Sequence, residues 1–245
     1  MFDAKKVKEQ AIEWIAEYFQ NNASPATKAI IGISGGKDSS VAAALCAEAL
    51  GKNRVLGVLM PHGRQHDIDV SYAVCKALDI KSVEINIERS VQTLYDEIVE
   101  KGLEINNIAA FNTPARVRMT TLYAVSGIVG GRVANTSNLS EDWVGYATKF
   151  GDTAGDFGPL SDLTCTEVKA VGRELGLAPA FIEKIPIDGL CGKTDEDSFG
   201  FTYEVLDRYI RDGVCEDSVV KERIDKLHKM GMHKQNTMPA FRLNR

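Results

Sequence analysis

Hydrophobic and polar residues follow one another along the N-terminal half of the chain in an order typical of an α/β protein. Apolar residues recur at helical spacing over residues 3–21, and charged residues fill the opposite face, which predicts an amphipathic helix. Short apolar runs predict buried strands at 28–33 and 54–60, and a third strand is predicted at 82–87. The helices that alternate with these strands are predicted at 39–50, 67–78 and 90–101.

This alternation predicts a single-domain α/β fold, Rossmann-like, with a doubly wound parallel sheet that carries helices on both faces. Thr113 and Pro114 are expected to be the N-cap and first residue of a further long helix. A fourth strand is predicted at 132–135. Segment 136–160, rich in glycine and acidic residues, is expected to form an ordered active-site loop, and 162–245 is expected to be mostly helical.

Composition narrows the class of protein. The chain has 245 residues, of which 44% are hydrophobic and 26% charged, which is typical of a globular domain. Its net charge of −5 argues against a dedicated nucleic-acid binder, and no apolar run is long enough for a membrane span. The five cysteines form no CxxC pair, so we expect neither a disulfide framework nor a structural zinc site. A reduced, cytoplasmic protein that acts on small molecules is therefore expected.

The most informative segment is the loop at 34–40, Ser-Gly-Gly-Lys-Asp-Ser-Ser, which directly follows a predicted strand. Glycines let successive backbone N–H groups converge on an anion, and the start of the next helix adds further donors. The loop is therefore predicted to bind phosphate, although its spacing matches neither GxxxxGK[ST] nor GxGxxG. Asp38 brings a carboxylate beside the phosphates, which implies a cation between them, and we expect Mg²⁺.

This SGGxDS loop resembles the pyrophosphate-binding loop of the ATP pyrophosphatase superfamily, whose members cleave ATP between the α and β phosphates. Within that superfamily, further segments resemble those of the NAD⁺ synthetases. These segments are ARVRM at 115–119, SEDWVGYATKFGD at 140–152, DFGPL at 156–160, Phe201-Thr202-Tyr203 and His233-Lys234. The resemblance extends from the first predicted helix to Lys234 and covers most of the chain.

The resemblance implies a role for each matching residue. ATP would be bound by Gly32, Ile33, Ser34, Gly35, Gly36, Lys37, Asp38, Ser39, Gln65 and Thr136. Deamido-NAD⁺ would be bound by Arg116, Lys149, Asp156, His233 and Lys234. Asp38 and Glu141 would bind Mg²⁺. Asp38, Ser39 and Asp152 would take part in catalysis, with Asp152 near the ammonia site.

Two positions depart from the family pattern. Cys165 stands where the family often has a lysine that contacts ATP phosphate, and Lys169 and Lys193 are the candidates to replace that cation. Ile187 stands where a serine or threonine often follows a proline. Both departures concern the ATP contacts, whereas the predicted metal ligands match the pattern.

The resemblance implies a carbon–nitrogen ligase that works as a homodimer. The reaction would amidate deamido-NAD⁺ with ammonia at the expense of ATP, through an NAD-adenylate, and would release AMP and pyrophosphate. At 245 residues we expect no room for the amidase domain that some members carry, so free ammonia is the expected nitrogen donor. Two alternatives stay open: a tRNA-thiolating ATP pyrophosphatase and a non-catalytic nucleotide-binding module.

Overall fold

Four strands and eleven helices are seen in the computed structural model, which describes residues 2–184, 194–236 and 238–243. The strands are β1 (Lys28–Gly32), β2 (Val55–Leu59), β3 (Lys81–Glu84) and β4 (Gly131–Val133). The helices before β4 are α1 (Ala4–Asn22), α2 (Lys37–Leu50), α3 (Ile68–Ala77), α4 (Glu88–Glu100) and α5 (Asn107–Val129). Those after β4 are α6 (Leu139–Trp143), α7 (Cys165–Glu174), α8 (Pro179–Ile182), α9 (Asp195–Phe199), α10 (Tyr203–Asp212) and α11 (Ser218–Gln235).

The strands form one parallel sheet in the order β3-β2-β1-β4, with β1 and β2 in the centre. Ile30 of β1 pairs with Leu56 of β2 on one side and with Val133 of β4 on the other. Since every strand runs in the same direction, all four carboxyl ends lie along one edge, where open α/β sheets bind ligands. The phosphate-binding loop and the glycine-rich segment leave β1 and β4, which are neighbours at that edge.

Helices cover both faces of the sheet, as predicted. Ala29 and Ile31 belong to an apolar cluster with α1, α2 and α7, whereas Ile30 belongs to a second cluster with α4 and α5. This alternation follows from the two-residue period of a strand. The edge strand β3 is exposed along its whole length, whereas β4, at the opposite edge, is largely buried.

The start of α5 corrects one prediction. The helix begins at Asn107, and its N-cap is Asn106, whose side chain accepts a hydrogen bond of 3.0 Å from the backbone N–H of Ala109. Pro114 lies inside the helix and is buried. The Thr113-Pro114 pair resembles a helix start, but a proline is also tolerated within a helix whose neighbouring packing makes up for the one hydrogen bond that it cannot donate.

Over the residues that the structure describes, most of the chain after position 164 lies in the helices α7 to α11. The segment 136–160, expected to be a loop, contains the short helix α6. A third apolar cluster joins these helices and includes Val144, Cys165, Phe199, Leu206 and Ile224. Among the described residues, no helix is both long enough and apolar enough to cross a membrane.

Candidate active site

The phosphate-binding loop turns sharply from β1 into α2. Gly35 has a φ of +78°, and a Cβ there would lie 3.1 Å from both the backbone nitrogen and the hydroxyl of Ser71. Ser34 and Ser39 brace the turn with their hydroxyl oxygens 3.1 Å apart, and the N–H of Gly36 donates to Ser34 Oγ over 3.3 Å. The result is a compact loop at the N-terminus of a long helix, which suits an anion.

Lys37 joins the two predicted magnesium ligands. Its side chain is 2% exposed, and its Nζ lies 2.9 Å from Asp38 Oδ2 and 3.6 Å from Glu141 Oε1. The ammonium also lies 5.5 Å from the centre of the Tyr203 ring, within the range of a cation–π contact. The structure therefore brings Asp38 and Glu141 together, as predicted, around a buried cation.

Asn138 holds both carboxylate residues in place. Its Nδ2 donates to Asp38 Oδ1 over 2.9 Å, and its Oδ1 accepts from the backbone N–H of Glu141 over 3.1 Å. Asn138 is completely buried and is the N-cap of α6. Our sequence analysis missed this residue. The signal was present, because asparagine before an acidic first turn is a preferred N-cap.

The buried residue Asp207 fixes the position of α6, the helix that carries Glu141. Ser140 Oγ donates to Asp207 Oδ1 over 2.5 Å and accepts from the backbone N–H of Cys165 over 2.9 Å. Asp207 Oδ2 accepts from the backbone N–H of Thr166 over 2.8 Å. These bonds tie α6 to α7 and α10, so the position of Glu141 depends on the C-terminal helices.

The charges of Lys37, Asp38 and Glu141 influence the pKa values of Lys37 and Glu141. Burial and the Asp38 carboxylate raise the pKa of Glu141 well above its usual range, and Lys37 opposes that shift. Burial lowers the pKa of Lys37, but Asp38 and Glu141 outweigh burial, so its net pKa is raised. Lys37 is therefore a cation at neutral pH.

A third carboxyl group, that of Asp195, lies near Asp38 and Glu141 and was missed in the sequence analysis. Tyr203 donates its hydroxyl hydrogen to Asp195 Oδ2 over 3.0 Å, and both residues are buried. Burial raises the pKa of Asp195, and the hydrogen bond from Tyr203 and the Lys37 ammonium oppose that shift. Tyr203 lies in one of the recognised motifs, whereas no signal in the sequence marked Asp195.

The donors around Lys37 fit a magnesium ion. Mg²⁺ usually takes one or two carboxylates from the protein and completes its coordination with water and phosphate oxygens. Within 2–184, 194–236 and 238–243, no three His, Cys, Asp or Glu side chains gather into a metal site. Asp38 and Glu141 beside a phosphate-binding loop therefore suit an ion that enters with a phosphate ligand.

Three of the five predicted substrate residues, Arg116, Lys149 and His233, are linked to one another through backbone carbonyls, and a fourth, Lys234, bonds to a nearby carbonyl. Arg116 Nε donates to the carbonyl of Lys149 over 3.2 Å, and Lys149 Nζ donates to the carbonyl of His233. Lys234 Nζ donates to the carbonyl of Gly145 over 2.7 Å. The C-terminal helix α11 thus closes over segment 144–150, and the positive side chains gather where the two meet.

Asp156, the fifth predicted substrate residue, is engaged by the fold itself. Its Oδ2 accepts from the backbone N–H of Val133 over 2.7 Å, and its Oδ1 accepts from the Tyr123 hydroxyl over 3.3 Å. Both carboxylate oxygens therefore have protein partners at the end of β4. This geometry supports a role in anchoring the glycine-rich segment to the sheet.

Asp152 lies at the same edge of the sheet. Its carbonyl accepts from Asn135 Nδ2 over 2.7 Å and from Ser137 Oγ over 3.1 Å, and these two residues flank Thr136. Its Oδ1 accepts from the backbone N–H of Thr148 over 2.7 Å, and the residue remains exposed. An exposed carboxylate here is accessible to a small cation.

Gln65 lies on the loop after β2, at the same carboxyl edge. Its Nε2 donates to Asp67 Oδ1 over 2.9 Å, and Lys184 forms an ion pair with the same carboxylate. This side chain is partly exposed. The position is consistent with the predicted ATP contact.

The structure also locates the departures from the family pattern. Cys165 is the first residue of α7 and is 2% exposed. Burial raises the pKa of its thiol to about 12, and the Lys37 ammonium opposes that shift. Lys169 pairs with Glu183 at 3.5 Å on the surface. Lys37 is therefore the cation beside Cys165, whereas Lys193 and Ile187 lie outside the described residues.

Comparisons with known proteins agree with this geometry. The family model described as NAD synthase matches residues 7–242. The NH₃-dependent NAD⁺ synthetase of Pyrococcus furiosus is 35% identical over 241 residues, which cover 93% of this chain and 92% of that protein. A solved NMN synthetase from Francisella tularensis is 29% identical with a TM-score of 0.90, over 99% of this chain and 100% of that one.

A second solved structure extends the comparison. The NH₃-dependent NAD synthetase from Campylobacter jejuni, in complex with nitrate, is 26% identical with a TM-score of 0.78, over 99% of this chain and 100% of that one. The family model spans the phosphate-binding loop, the partly buried carboxylate pair Asp38 and Glu141, and the C-terminal helix that closes over segment 144–150. By sequence and by structure, the chain belongs to the NAD synthase family.

Proposed function

We propose that this protein is an ammonia-dependent NAD⁺ synthetase. It uses ATP as co-substrate to convert the nicotinate carboxylate of deamido-NAD⁺ into an amide, and AMP and pyrophosphate are released. The observation that carries the proposal is the partly buried pair Asp38 and Glu141 beside the phosphate-binding loop. Membership of the NAD synthase family argues against the alternative that the protein is a tRNA-thiolating enzyme.

The first half-reaction activates the carboxylate. The nicotinate oxygen attacks the α-phosphorus of ATP, an NAD-adenylate forms, and pyrophosphate leaves. The backbone N–H groups of 34–40 and the hydroxyls of Ser34 and Ser39 are suited to stabilise the charge that gathers on pyrophosphate. Asp38 and Glu141 would hold Mg²⁺, which neutralises phosphate charge when bound.

The second half-reaction needs ammonia beside the adenylate. We assign Asp152 to this role, because an exposed carboxylate at the end of β4 can bind NH₄⁺ and accept its proton. The resulting ammonia attacks the carbonyl carbon of the adenylate, and AMP leaves. Arg116, Lys149 and Lys234 would hold the anionic groups of deamido-NAD⁺. The closed helix α11 would keep water from hydrolysing the anhydride.

The exposed apolar side chains on α4 and α5 support a homodimer. On the part of the chain that the structure describes, Val99 is 55%, Ile108 72% and Ile128 83% exposed. Large apolar side chains of this kind on neighbouring helices are typical of an interface. We expect sedimentation equilibrium to give a dimer and the double variant Ile108→Lys/Ile128→Lys to give a folded monomer. A wild-type monomer would contradict this proposal.

We also propose that the protein is cytoplasmic and that its cysteines are reduced. The described cysteines, Cys46, Cys75, Cys165 and Cys215, are all free thiols. Buried free thiols persist in a reducing compartment.

A second candidate substrate is favoured by one observation. The NMN synthetase of Francisella tularensis gives a TM-score of 0.90, whereas the NAD synthetase of Campylobacter jejuni gives 0.78. The same chemistry on nicotinic acid mononucleotide would yield the mononucleotide amide, because the reacting carboxylate is identical. The ratio of kcat/KM for the two acceptors, at saturating ATP and ammonia, distinguishes them.

The experiment that tests the proposed function is release of AMP from ATP. We expect it to require Mg²⁺, ammonia and deamido-NAD⁺ together. Release with the mononucleotide acceptor alone would transfer the assignment to the second candidate. No release with either acceptor would instead favour a non-catalytic nucleotide-binding module.

A further inference from the structure

Lys37 is an unusual component of a phosphate-binding loop, because its charge points into the protein. The side chain is 2% exposed, although the residue begins α2 beside the exposed Ser34. A buried ammonium is stable when it is paired and is otherwise costly. A cation at a helix N-terminus is also unfavourable, since that end of the helix carries partial positive charge. The fold therefore keeps the Lys37 ammonium in place although burial and the helix N-terminus both disfavour a positive charge there.

The groups around the ammonium show what holds it. Asp38 Oδ2 lies 2.9 Å from Nζ, Glu141 Oε1 lies 3.6 Å away, and the Tyr203 ring centre lies 5.5 Å away. Asn138 restrains the other oxygen of Asp38 over 2.9 Å. The two oxygens that face Lys37 belong to the carboxylates that are proposed to bind Mg²⁺. The ammonium thus occupies the space between the proposed metal ligands.

We propose that Lys37 is a built-in counter-ion that occupies the magnesium position until ATP arrives. The proposal rests on the proposed function, since it takes Asp38 and Glu141 as the metal ligands. A divalent cation placed between these carboxylates would lie against the ammonium, and like charges repel strongly where water is excluded. Free Mg²⁺ therefore binds poorly to the protein alone.

ATP changes this balance because its phosphates are anions at the N-terminus of α2. The Lys37 side chain is a charge on a flexible four-carbon stem and can turn from the carboxylates to a phosphate oxygen. Asp38 and Glu141 are then free to accept the metal. Metal and nucleotide thus assist each other, by the same factor in both directions. Lys37 thus balances the negative charge of Asp38 and Glu141 until the metal enters with ATP.

Binding of Mn²⁺ alone, followed by electron paramagnetic resonance, tests the proposal. We compare wild type with Lys37→Met, Lys37→Gln and Lys37→Arg, and use the partly exposed Lys169→Met as the matched control. Without nucleotide, wild type, Lys37→Arg and Lys169→Met are expected to bind Mn²⁺ weakly. Lys37→Met and Lys37→Gln are expected to bind it at least roughly tenfold more tightly, because the competing charge is gone.

Thermal unfolding provides a second readout that does not depend on activity. Millimolar Mg²⁺ without nucleotide should leave the Tm of wild type unchanged and raise the Tm of Lys37→Met and Lys37→Gln. If those variants unfold in EDTA, Mn²⁺ should refold them. Their failure to refold in Mn²⁺, or a Tm of wild type that rises with Mg²⁺ alone, would overturn the proposal. Equal Mn²⁺ affinity in wild type and folded Lys37→Met would overturn it as well.

One further variant separates this proposal from the proposed function. Adding Asp38→Ala to Lys37→Met should abolish the gained Mn²⁺ binding, because it removes one carboxylate ligand. If the gain persists in the double variant, the metal does not bind at Asp38, and the metal site of the proposed function fails with the present inference. If wild type amidates deamido-NAD⁺ yet Lys37→Met gains no Mn²⁺ binding, the counter-ion role fails alone.

Discussion

Gly145 and Gly231 meet so closely that a side chain on either residue would overlap the backbone of the other. A Cβ on Gly145 would lie 2.4 Å from the Cα of Gly231, and a Cβ on Gly231 would lie 2.6 Å from the Cα of Gly145. Gly145 also has a φ of +66°, which favours glycine. This contact brings α11 onto segment 144–150, beside the hydrogen bond from Lys234 to the Gly145 carbonyl.

Gly231→Ala should therefore weaken substrate binding without altering any side chain that is proposed to bind substrate. The added methyl group must push α11 away, which moves His233 and Lys234 and costs about 1–3 kcal/mol of stability. We expect kcat/KM for deamido-NAD⁺ to fall by roughly 10- to 100-fold, mainly through KM. The exposed neighbour Met230→Ala should behave as wild type. Unchanged steady-state kinetics in Gly231→Ala would show that the close contact does not hold His233 and Lys234, the proposed substrate residues, in place.

Sequence and structure lead to opposite expectations for the stability of the variant Cys165→Lys. The family resemblance implies a lysine at this position, so sequence alone predicts that the change is tolerated. In the structure Cys165 is buried and close to the Lys37 ammonium, so a second buried cation would be repelled. We expect urea unfolding to show a loss of at least ~2 kcal/mol, larger than for Cys165→Ala.

The double variant Lys37→Met/Cys165→Lys checks the cause of that loss. With the first ammonium removed, the new one can pair with the same carboxylates, and we expect much of the lost stability to return. The two changes must therefore be non-additive. Additive losses in the double variant would mean that volume, and not charge, makes Cys165→Lys unstable.

Asp142 provides a prediction on pH. Burial raises the pKa of its carboxyl to about 6, although Gln235 donates to Asp142 Oδ1 over 2.7 Å. The native state thus binds this proton more tightly than the unfolded chain, so ionisation of Asp142 opposes folding as the pH rises through about 6. Asp142→Asn removes that cost and should stabilise the protein at pH 8 by ~1–2 kcal/mol.

The dependence on pH separates this effect from a local change in hydrogen bonding. Urea unfolding at pH 8 and at pH 5 should show that the advantage of Asp142→Asn shrinks at the lower pH, where Asp142 holds its proton in the native state. The exposed Asp212→Asn should show no such trend. A difference between wild type and Asp142→Asn that stays constant with pH would contradict the proposed cause.

The resemblance to the NAD⁺ synthetases predicted that Asp38 and Glu141 meet, and the topology of the sheet explains why they do. Asp38 comes just after β1, Glu141 follows β4 closely, and these strands are neighbours in a parallel sheet. The glycine pair at 35 and 36 identified the phosphate-binding loop for a similar reason, since a local turn decides its shape. A local turn thus accounts for the predicted loop, and the strand order seen in the structure explains the carboxylate pair that the resemblance implied.

The contacts that sequence could not predict are those that depend on packing between distant helices. Lys37 was expected to face phosphate, but the pocket formed by α2, α6 and α10 draws its ammonium inward to Glu141 and Tyr203. Asp195 reaches the site from α9, more than a hundred residues after the loop. The start of α5 was misplaced because Pro114 resembles a helix start, although Asn106 is the cap.

The central claim is that this chain forms an amide from ammonia, ATP and deamido-NAD⁺. Mass spectrometry of the product with ¹⁵N-ammonium, or with amide-labelled glutamine as the alternative donor, tests it most directly. We predict NAD⁺ that carries the label from ammonium, with one AMP formed for each NAD⁺, and no labelled product from glutamine. Label entering from glutamine alone, or AMP formed without any labelled amide, would contradict the account.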